Sequence, residues 1–316
     1  MQPFKLNLPN GAQLTGIHNI PPCSSSLLKY RPLIVGLHGS TYDCQYFDAN
    51  TSHSASITSS ALGIPFIAID RPGFGGTTSL PSTPAISSFF QETGSWLHHY
   101  TLPALWTEFG VPNECNCIAL LCHSLGAMGG IVAAALHSQD TKQNRTSLYP
   151  LGGIIVSGIG EQLLPEMKEN PVPYDLHHLP THVTFPLEMK DSLMFRPGTA
   201  DPGILTKSEQ LNSPTPFGEI DSLRTGWVGR WQKEWACFVV APVMFGIAEH
   251  DCFFESGQAH LRECVGAFEN SGRVDGSVIK GAPHCMELSY WSQGWYARCF
   301  GFAVECAVSL EADKGS

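Results

Sequence analysis

The stretch NCIALLCHSLGAMGGIVAAALH, residues 116–137, decides how the rest of the chain is read. Ile118, Ala119, Leu120 and Leu121 form an apolar run too short for a helix, which predicts a buried strand of a parallel sheet. The run from Gly126 to Leu136 is longer and rich in alanine, which predicts a helix packed tightly against that sheet. Between them lies Cys122-His123-Ser124-Leu125-Gly126, a serine at a sharp strand-to-helix turn.

Such a turn, the nucleophile elbow, is usually spelled G-x-S-x-G. Side chains two before and two after the serine would collide with the neighbouring strand and helix. Gly126 meets the second requirement. Cys122 departs from the first, and its small side chain predicts a tighter fit rather than a broken turn.

Composition narrows the class. The chain has 316 residues, 43% hydrophobic and 15% charged, enough for a substantial core in one large domain or about two ordinary ones. A net charge of -10 without any basic run argues against nucleic acid as a partner and reads as solubility. The opening MQPFKLNLPNGAQLTG has neither a positive n-region nor an apolar core, so no secretory signal is expected. No run of about 18 apolar residues predicts a membrane span. Cysteines number 11, and Cys117, Cys122 and Cys237 lie in apolar, strand-like runs. That fits reduced thiols in a cytoplasmic protein better than a disulfide framework. Asn144-Arg145-Thr146 spells a glycosylation acceptor but reads as a polar loop. Nothing in the sequence speaks to oligomeric state.

Taken in order, Phe4 to Ile17 predicts a hairpin turning at Pro9-Asn10-Gly11. Pro32 to Leu37 is a buried strand running into His38-Gly39-Ser40-Thr41. Pro65 to Ile69 is the next, closing in Asp70-Arg71-Pro72-Gly73-Phe74-Gly75-Gly76, a tight turn without the lysine of a phosphate loop. Helical spacing over Phe89–Phe109 leads to the central strand, and Gly153–Gly158 is a further one. From about Gly160 to Trp235 the alternation stops and prolines and aromatics scatter, which predicts an insertion. Strands at Pro242–Ile247 and Gly276–Lys280, a helix around Ser256–Asn270 and a terminal helix over Trp291–Leu310 complete the pattern. The expected fold class is α/β, with a mostly parallel central sheet flanked by helices. Residues 1–159 and 237–316 form the core, and 160–236 the insertion.

Open parallel sheets place ligand chemistry at the carboxyl ends of their strands. The strand ending at Ile247 runs into Ala248-Glu249-His250-Asp251, and the one ending near Lys280 into Gly281-Ala282-Pro283-His284. The chain order is therefore Ser124, Asp251, His284. A serine hydroxyl needs a neutral imidazole to take its proton, and the imidazole needs a carboxylate to fix its tautomer.

On these motifs the chain resembles the α/β-hydrolase-fold serine hydrolases of esterase and lipase type. Its spacing also resembles that of the capped hydrolases of fungal specialised metabolism. The resemblance runs from the N-terminal hairpin to the final helix. It implies a Ser124–His284–Asp251 triad, with Glu249 as the alternative acid, and an oxyanion hole made by the backbone N–H groups of Ser40 and Leu125. It implies that 160–236 is a cap over the site and that no cofactor or metal is used. The implied activity is cleavage of an ester, thioester or lactone. A C–C hydrolase, a lyase or an acyltransferase on the same triad, or a receptor that binds without turnover, are the alternatives.

The remaining candidates concern the pocket. His38, Gly39 and His123 are expected to border the substrate, although His123 also reads as strand-end packing. Trp227, Trp231 and Trp235, four apart, predict one helical face that docks the insertion or walls an apolar substrate pocket. Phe185, Met189 and Phe195 are expected to add to that wall, so the partner is an apolar small molecule. Cys122 is expected near His284 as a small buried thiol. The pairs His98-His99 and His177-His178 lack a Cys or carboxylate at a zinc-site spacing and read as solvated histidines.

Overall fold

The computed structural model describes residues 1–81, 83–84, 86–143, 145, 147–169 and 180–314. His177-His178 lie outside these, as do Asn144 and Thr146 of the polar loop. The chain opens with β1 (Gln2–Asn7), β2 (Gln13–Asn19), β3 (Pro32–Leu37), β4 (Phe66–Ile69), β5 (Cys117–His123) and β6 (Leu151–Ser157). The short β7 (His182–Val183) and β8 (Thr215–Pro216) follow, then β9 (Val243–His250) and β10 (Val274–Pro283). Eight strands share one sheet in the order β1-β2-β4-β3-β5-β6-β9-β10. Its β1–β2 and β2–β4 pairs are antiparallel and the others parallel, the mostly parallel sheet that the alternation predicts.

Helices cover both faces. They are, in chain order, α1 (Ala55–Leu62), α2 (Phe89–Trp96), α3 (Leu102–Leu105), α4 (Gly126–Lys142), α5 (Pro165–Glu169), α6 (Leu187–Met194), α7 (Pro202–Leu205), α8 (Phe217–Ser222), α9 (Trp231–Glu234), α10 (Gln258–Gly266) and α11 (Ser292–Lys314). The alternation of β5 divides its side chains between two cores. Ile118, Leu120 and Cys122 face α2, α4 and α10. Ala119 and Leu121 face α11, whose Trp295, Tyr296 and Phe300 fill that side. With both faces covered, β5 has no polar edge to show, which is why it reads as an unbroken apolar run.

The departure at Cys122 is absorbed one turn along α4. A methyl group on Gly130 would sit 2.5 Å from the Cys122 sulfur, so glycine there makes room for the thiol. A methyl group on Gly126 would run into the main-chain oxygens of Leu37 and His38. Cys122 thus faces α4 and not His284, which corrects the expected proximity. The cysteines are all free thiols; Cys237, expected in a strand, sits half-buried in a 3₁₀ turn, Ala236–Phe238. Among the described residues no helix is long and apolar enough to cross a membrane.

Between β6 and β9 the chain leaves the main sheet. This interval carries α5 to α9, and β7 and β8 pair only with each other. The tryptophan stripe is not one helix. Trp227 ends a π-helical turn, Val228 is extended and Gly229 has φ 81, after which Trp231 begins α9. The turn still stacks the two indoles, 5.5 Å apart at 6°. Both are buried against Phe90, Phe245 and Phe268, so the stripe docks this interval onto the core.

Candidate active site

Ser124 has φ 51, in the left-handed region that a residue with a Cβ avoids, at the point where β5 becomes α4. The Ser124 N–H donates to the carbonyl of Ser157 at the end of β6, 2.8 Å away, which helps hold the turn. On the other side, the loop after β3 comes so close that a methyl group on Gly39 would lie 2.8 Å from the Ser124 Cβ.

Asp251 follows β9 and His284 follows β10, so three parallel strand ends converge. His284 Nδ1 donates to Asp251 Oδ2 at 2.8 Å, and His284 Nε2 lies 3.2 Å from the Ser124 hydroxyl. Asp251 Oδ1 accepts from the N–H groups of Phe253 and Phe254 at 2.9 and 3.1 Å. Burial acts to raise the Asp251 carboxyl. The facing His284 imidazole and the two N–H donors together outweigh it and hold the group below its usual value. Phe253 meets the His284 ring edge to face at 4.8 Å and covers it from solvent. Glu249 points elsewhere: its carboxylate accepts from the Gly281 N–H at 2.7 Å and lies 3.5 Å from Lys280 Nζ.

Ser40 and Leu125 line the same cavity as the serine, and neither backbone N–H donates to another group among the described residues. The next N–H, that of Thr41, is taken by Thr215 Oγ1 at 2.7 Å, and Thr41 itself is left-handed at φ 66. His38 is buried behind this loop. Its Nδ1 donates to Gly39 O at 2.7 Å, and its Nε2 accepts the Arg71 N–H at 3.3 Å. The tautomer is thereby set, and His38 braces the loop from beneath.

His123 takes the packing role. It stacks on Tyr46 at 4.9 Å and 13°, and its Nδ1 lies 3.1 Å from Ser157 Oγ. Burial, with His284, His38 and Arg71 nearby, holds its imidazole well below the usual value, so it is neutral. Behind it Glu287, fully buried, accepts from Tyr46 Oη at 2.7 Å and from Trp295 Nε1 at 2.9 Å. Sequence reasoning passed over Tyr46 and Glu287. The only signal was a lone carboxylate in the apolar stretch after His284.

A cavity of about 400 Å³ opens on Ser40, Ser124 and Leu125. Phe185 and Met189 line it, joined by Lys190, Leu193 and Met194 from α6. Phe217, Ile220 and Leu223 come from α8 and the turn after it, Leu163 and Met167 from the chain after β6, and Phe253 and Phe254 from the loop after Asp251. Phe253-Phe254 were legible beside Asp251; α8 was not, because nothing local ties it to the serine. Lys190 brings no free charge. Its ammonium lies 3.4 Å from the Asp191 carboxylate and donates to the carbonyls of Ser208 and Leu211 at 3.2 and 3.3 Å.

Several expectations for the wall are corrected. Phe195, Trp227 and Trp231 do not line the cavity; their rings are buried in the packing beneath the interval. His38, Gly39 and His123 do not line it either and support the elbow from behind. The histidine pair is corrected too: His98 is buried, and only His99 is exposed.

A buried serine, imidazole and carboxylate in line beneath an apolar cavity, on this sheet order, agree with a family match. Residues 34–294 match the model of the alpha/beta hydrolase family. The chain belongs to that family. No curated protein matches it by sequence. Among solved structures, this alpha/beta hydrolase is similar to a thermophilic esterase from Thermogutta terrifontis, with TM-score 0.57 and 17% identity over 98% of this chain and 99% of that one. It is similar to a monoacylglycerol lipase from Paleococcus ferrophilus, with TM-score 0.59 and 15% identity over 93% and 99%. The thioesterase domain from the curacin biosynthetic pathway gives TM-score 0.54 and 15% identity over 95% and 98%. At these identities the likeness is one of fold.

Proposed function

We propose that this hydrolase cleaves an ester, thioester or lactone of an apolar small molecule through an acyl-Ser124 intermediate. The observation that carries the reading is the relay from Ser124 Oγ to His284 Nε2, 3.2 Å, and from His284 Nδ1 to Asp251, 2.8 Å. His284 Nε2 takes the hydroxyl proton as Ser124 attacks the carbonyl carbon. Asp251 holds the tautomer and supports the imidazolium without being protonated. The N–H groups of Ser40 and Leu125 receive the oxyanion, and loss of one such donor typically costs about 10²–10³ in rate. His284 then returns its proton to the leaving group. In the second half it activates the water that releases the acid.

The interval over residues 160–236 acts as a cap in this reading, since Phe185 just ahead of α6, Met189 of α6 and Phe217 of α8 line the cavity and would meet the substrate. Free thiols throughout the chain favour a reducing compartment such as the cytoplasm. Ester, lipase and thioester chemistry among the solved neighbours is in keeping with the bond class proposed.

The test combines a fluorophosphonate label with turnover of p-nitrophenyl esters of rising acyl length. Wild-type protein is expected to be labelled at Ser124 and to turn over esters repeatedly, and Ser124→Ala to lose both while keeping its fold. Undiminished turnover by folded Ser124→Ala sinks the acyl-enzyme. Saturable ester binding without product release supports the receptor alternative.

A further inference from the structure

At the far end of α4 from Ser124, three potential metal ligands come together that sequence spacing kept apart. His98 and His99 lie on a π-helical turn, Leu97–Thr101, between α2 and α3. Asp140 is on the last turn of α4, some 20 Å along that helix from Gly126 at about 1.5 Å per residue. Isolated π turns inside α-helices recur at functional sites. One ligand atom from each of His98, His99 and Asp140 falls within 4.8 Å of the other two.

We propose that His98, His99 and Asp140 form a binding site for a zinc-class divalent transition metal, separate from the hydrolase centre. Two imidazoles and a carboxylate, with water completing the shell, suit such an ion far better than magnesium or calcium, which prefer all-oxygen sites. His98 Nε2 and Asp140 Oδ2 stand 3.0 Å apart. Ligand atoms bound to one tetrahedral zinc at 2.0–2.1 Å lie about 3.3 Å from each other, so this pair needs little movement to share an ion. The exposed His99 ring, centred 4.6 Å from that of His98, makes no hydrogen bond among the described residues and is free to turn inward.

The surroundings supply the support that metal-ligating groups use. His98 Nδ1 lies 3.0 Å from the Tyr149 hydroxyl, a partner that can donate or accept. Without metal, Nε2–H donates to Asp140 and Tyr149 donates to Nδ1. When an ion takes Nε2, the ring proton sits on Nδ1 and is donated to the Tyr149 oxygen, so the imidazole stays neutral. Arg145 donates to the other Asp140 oxygen, Oδ1, at 2.9 Å and leaves Oδ2 aimed at His98. That guanidinium is 64% exposed, so it can swing away from an arriving cation. A bound ion would tie the π turn to the end of α4.

The experiment is calorimetric titration of chelator-stripped, full-length protein with ZnCl2, and with MgCl2 as the contrast. The wild type is expected to show a one-to-one zinc site of micromolar affinity that magnesium does not fill. His99→Ala, an exposed position that leaves the core intact, should weaken it about tenfold or more, and Asp140→Asn likewise. Zinc should raise the wild-type Tm, and that of His99→Ala clearly less at the same zinc concentration. A zinc isotherm identical in wild type and His99→Ala places the ion on other thiols or imidazoles and overturns the proposal. So does the absence of any binding up to about 100 μM zinc, far weaker than a three-ligand site should be.

Discussion

Ser124 is held where a residue with a side chain costs of order 1–3 kcal/mol in backbone strain. The turn persists because the Ser124 N–H is tied to Ser157 and the residues two before and two after it, Cys122 and Gly126, are small. What the strain achieves is position: the hydroxyl stands clear of the sheet and within reach of His284. In the proposed triad the acid is Asp251 by position, since two carboxylates lie two residues apart and only Asp251 faces the imidazole. Asp251→Asn is expected to lower kcat by about 10³–10⁴ with the fold intact, because the amide favours the wrong tautomer. Glu249→Gln should change kcat little. Steady-state rates of the two folded variants decide it, and the reverse ranking would move the acid to Glu249.

At the scale of elements, α4 and α6 each carry a testable consequence. The Cys122–Gly130 contact is a pair in which one residue's bulk requires the other's absence. Gly130→Ala alone should cost about 1–3 kcal/mol from overpacking against the thiol. In a Cys122→Ala background, the new methyl meets only Leu37 Cδ1 at 3.4 Å and a Cβ at 3.5 Å, both ordinary contacts, so the same change should be neutral or stabilising by up to about 1 kcal/mol of helix propensity. Denaturation midpoints for the four proteins of the cycle measure this, and additive effects would exclude the clash. Phe185 lines the cavity just ahead of α6, and Phe195 just beyond its end does not. Phe185→Ala is expected to shift kcat/KM for large apolar esters about tenfold and hardly touch small acetates, from about 1–3 kcal/mol of lost apolar contact. Phe195→Ala should instead lower stability by about 3–5 kcal/mol and leave acyl-length preference alone. A selectivity profile across acyl lengths, beside a denaturation curve, separates the two.

Over the whole molecule, the core and the interval above it are joined by a buried ion pair. Arg71, in the turn after β4, donates to Glu219 of α8, with one of its contacts at 3.2 Å, and lies over the Phe74 ring at 4.7 Å. Both side chains are all but inaccessible. Arg71 also offers its N–H to His38, so a single residue links the loop after β3 to α8, which lines the cavity. Removing one partner of such a pair strands the other charge, which typically costs about 3–5 kcal/mol. Glu219→Ala should show a loss of that size in urea. Glu234→Ala, which breaks the exposed Arg230–Glu234 pair, should stay within about 1 kcal/mol. Equal effects would mean that the Arg71 pair does not fasten the interval.

The sequence by itself determined the sheet and the order of its strands along the chain, because a strand buried on both faces must be apolar throughout and a helix laid on it must be small where it touches. Cys117–His123 followed by Gly126–Lys142 is legible for that reason, and Ser124, Asp251 and His284 are legible because each stands directly after a strand end. Those signals are local. Tertiary structure decided what lies beside what across the sheet. It faced Asp251 rather than Glu249 to His284, turned Trp227 and Trp231 into packing and lined the cavity from α6 and α8. It also carried Asp140 to His98, which the spacing of neighbours along the chain had read as solvated. In each case the partners come from distant segments, and their meeting is set by the sheet order β3-β5-β6-β9-β10 and the helices packed on it, which no run of adjacent residues encodes.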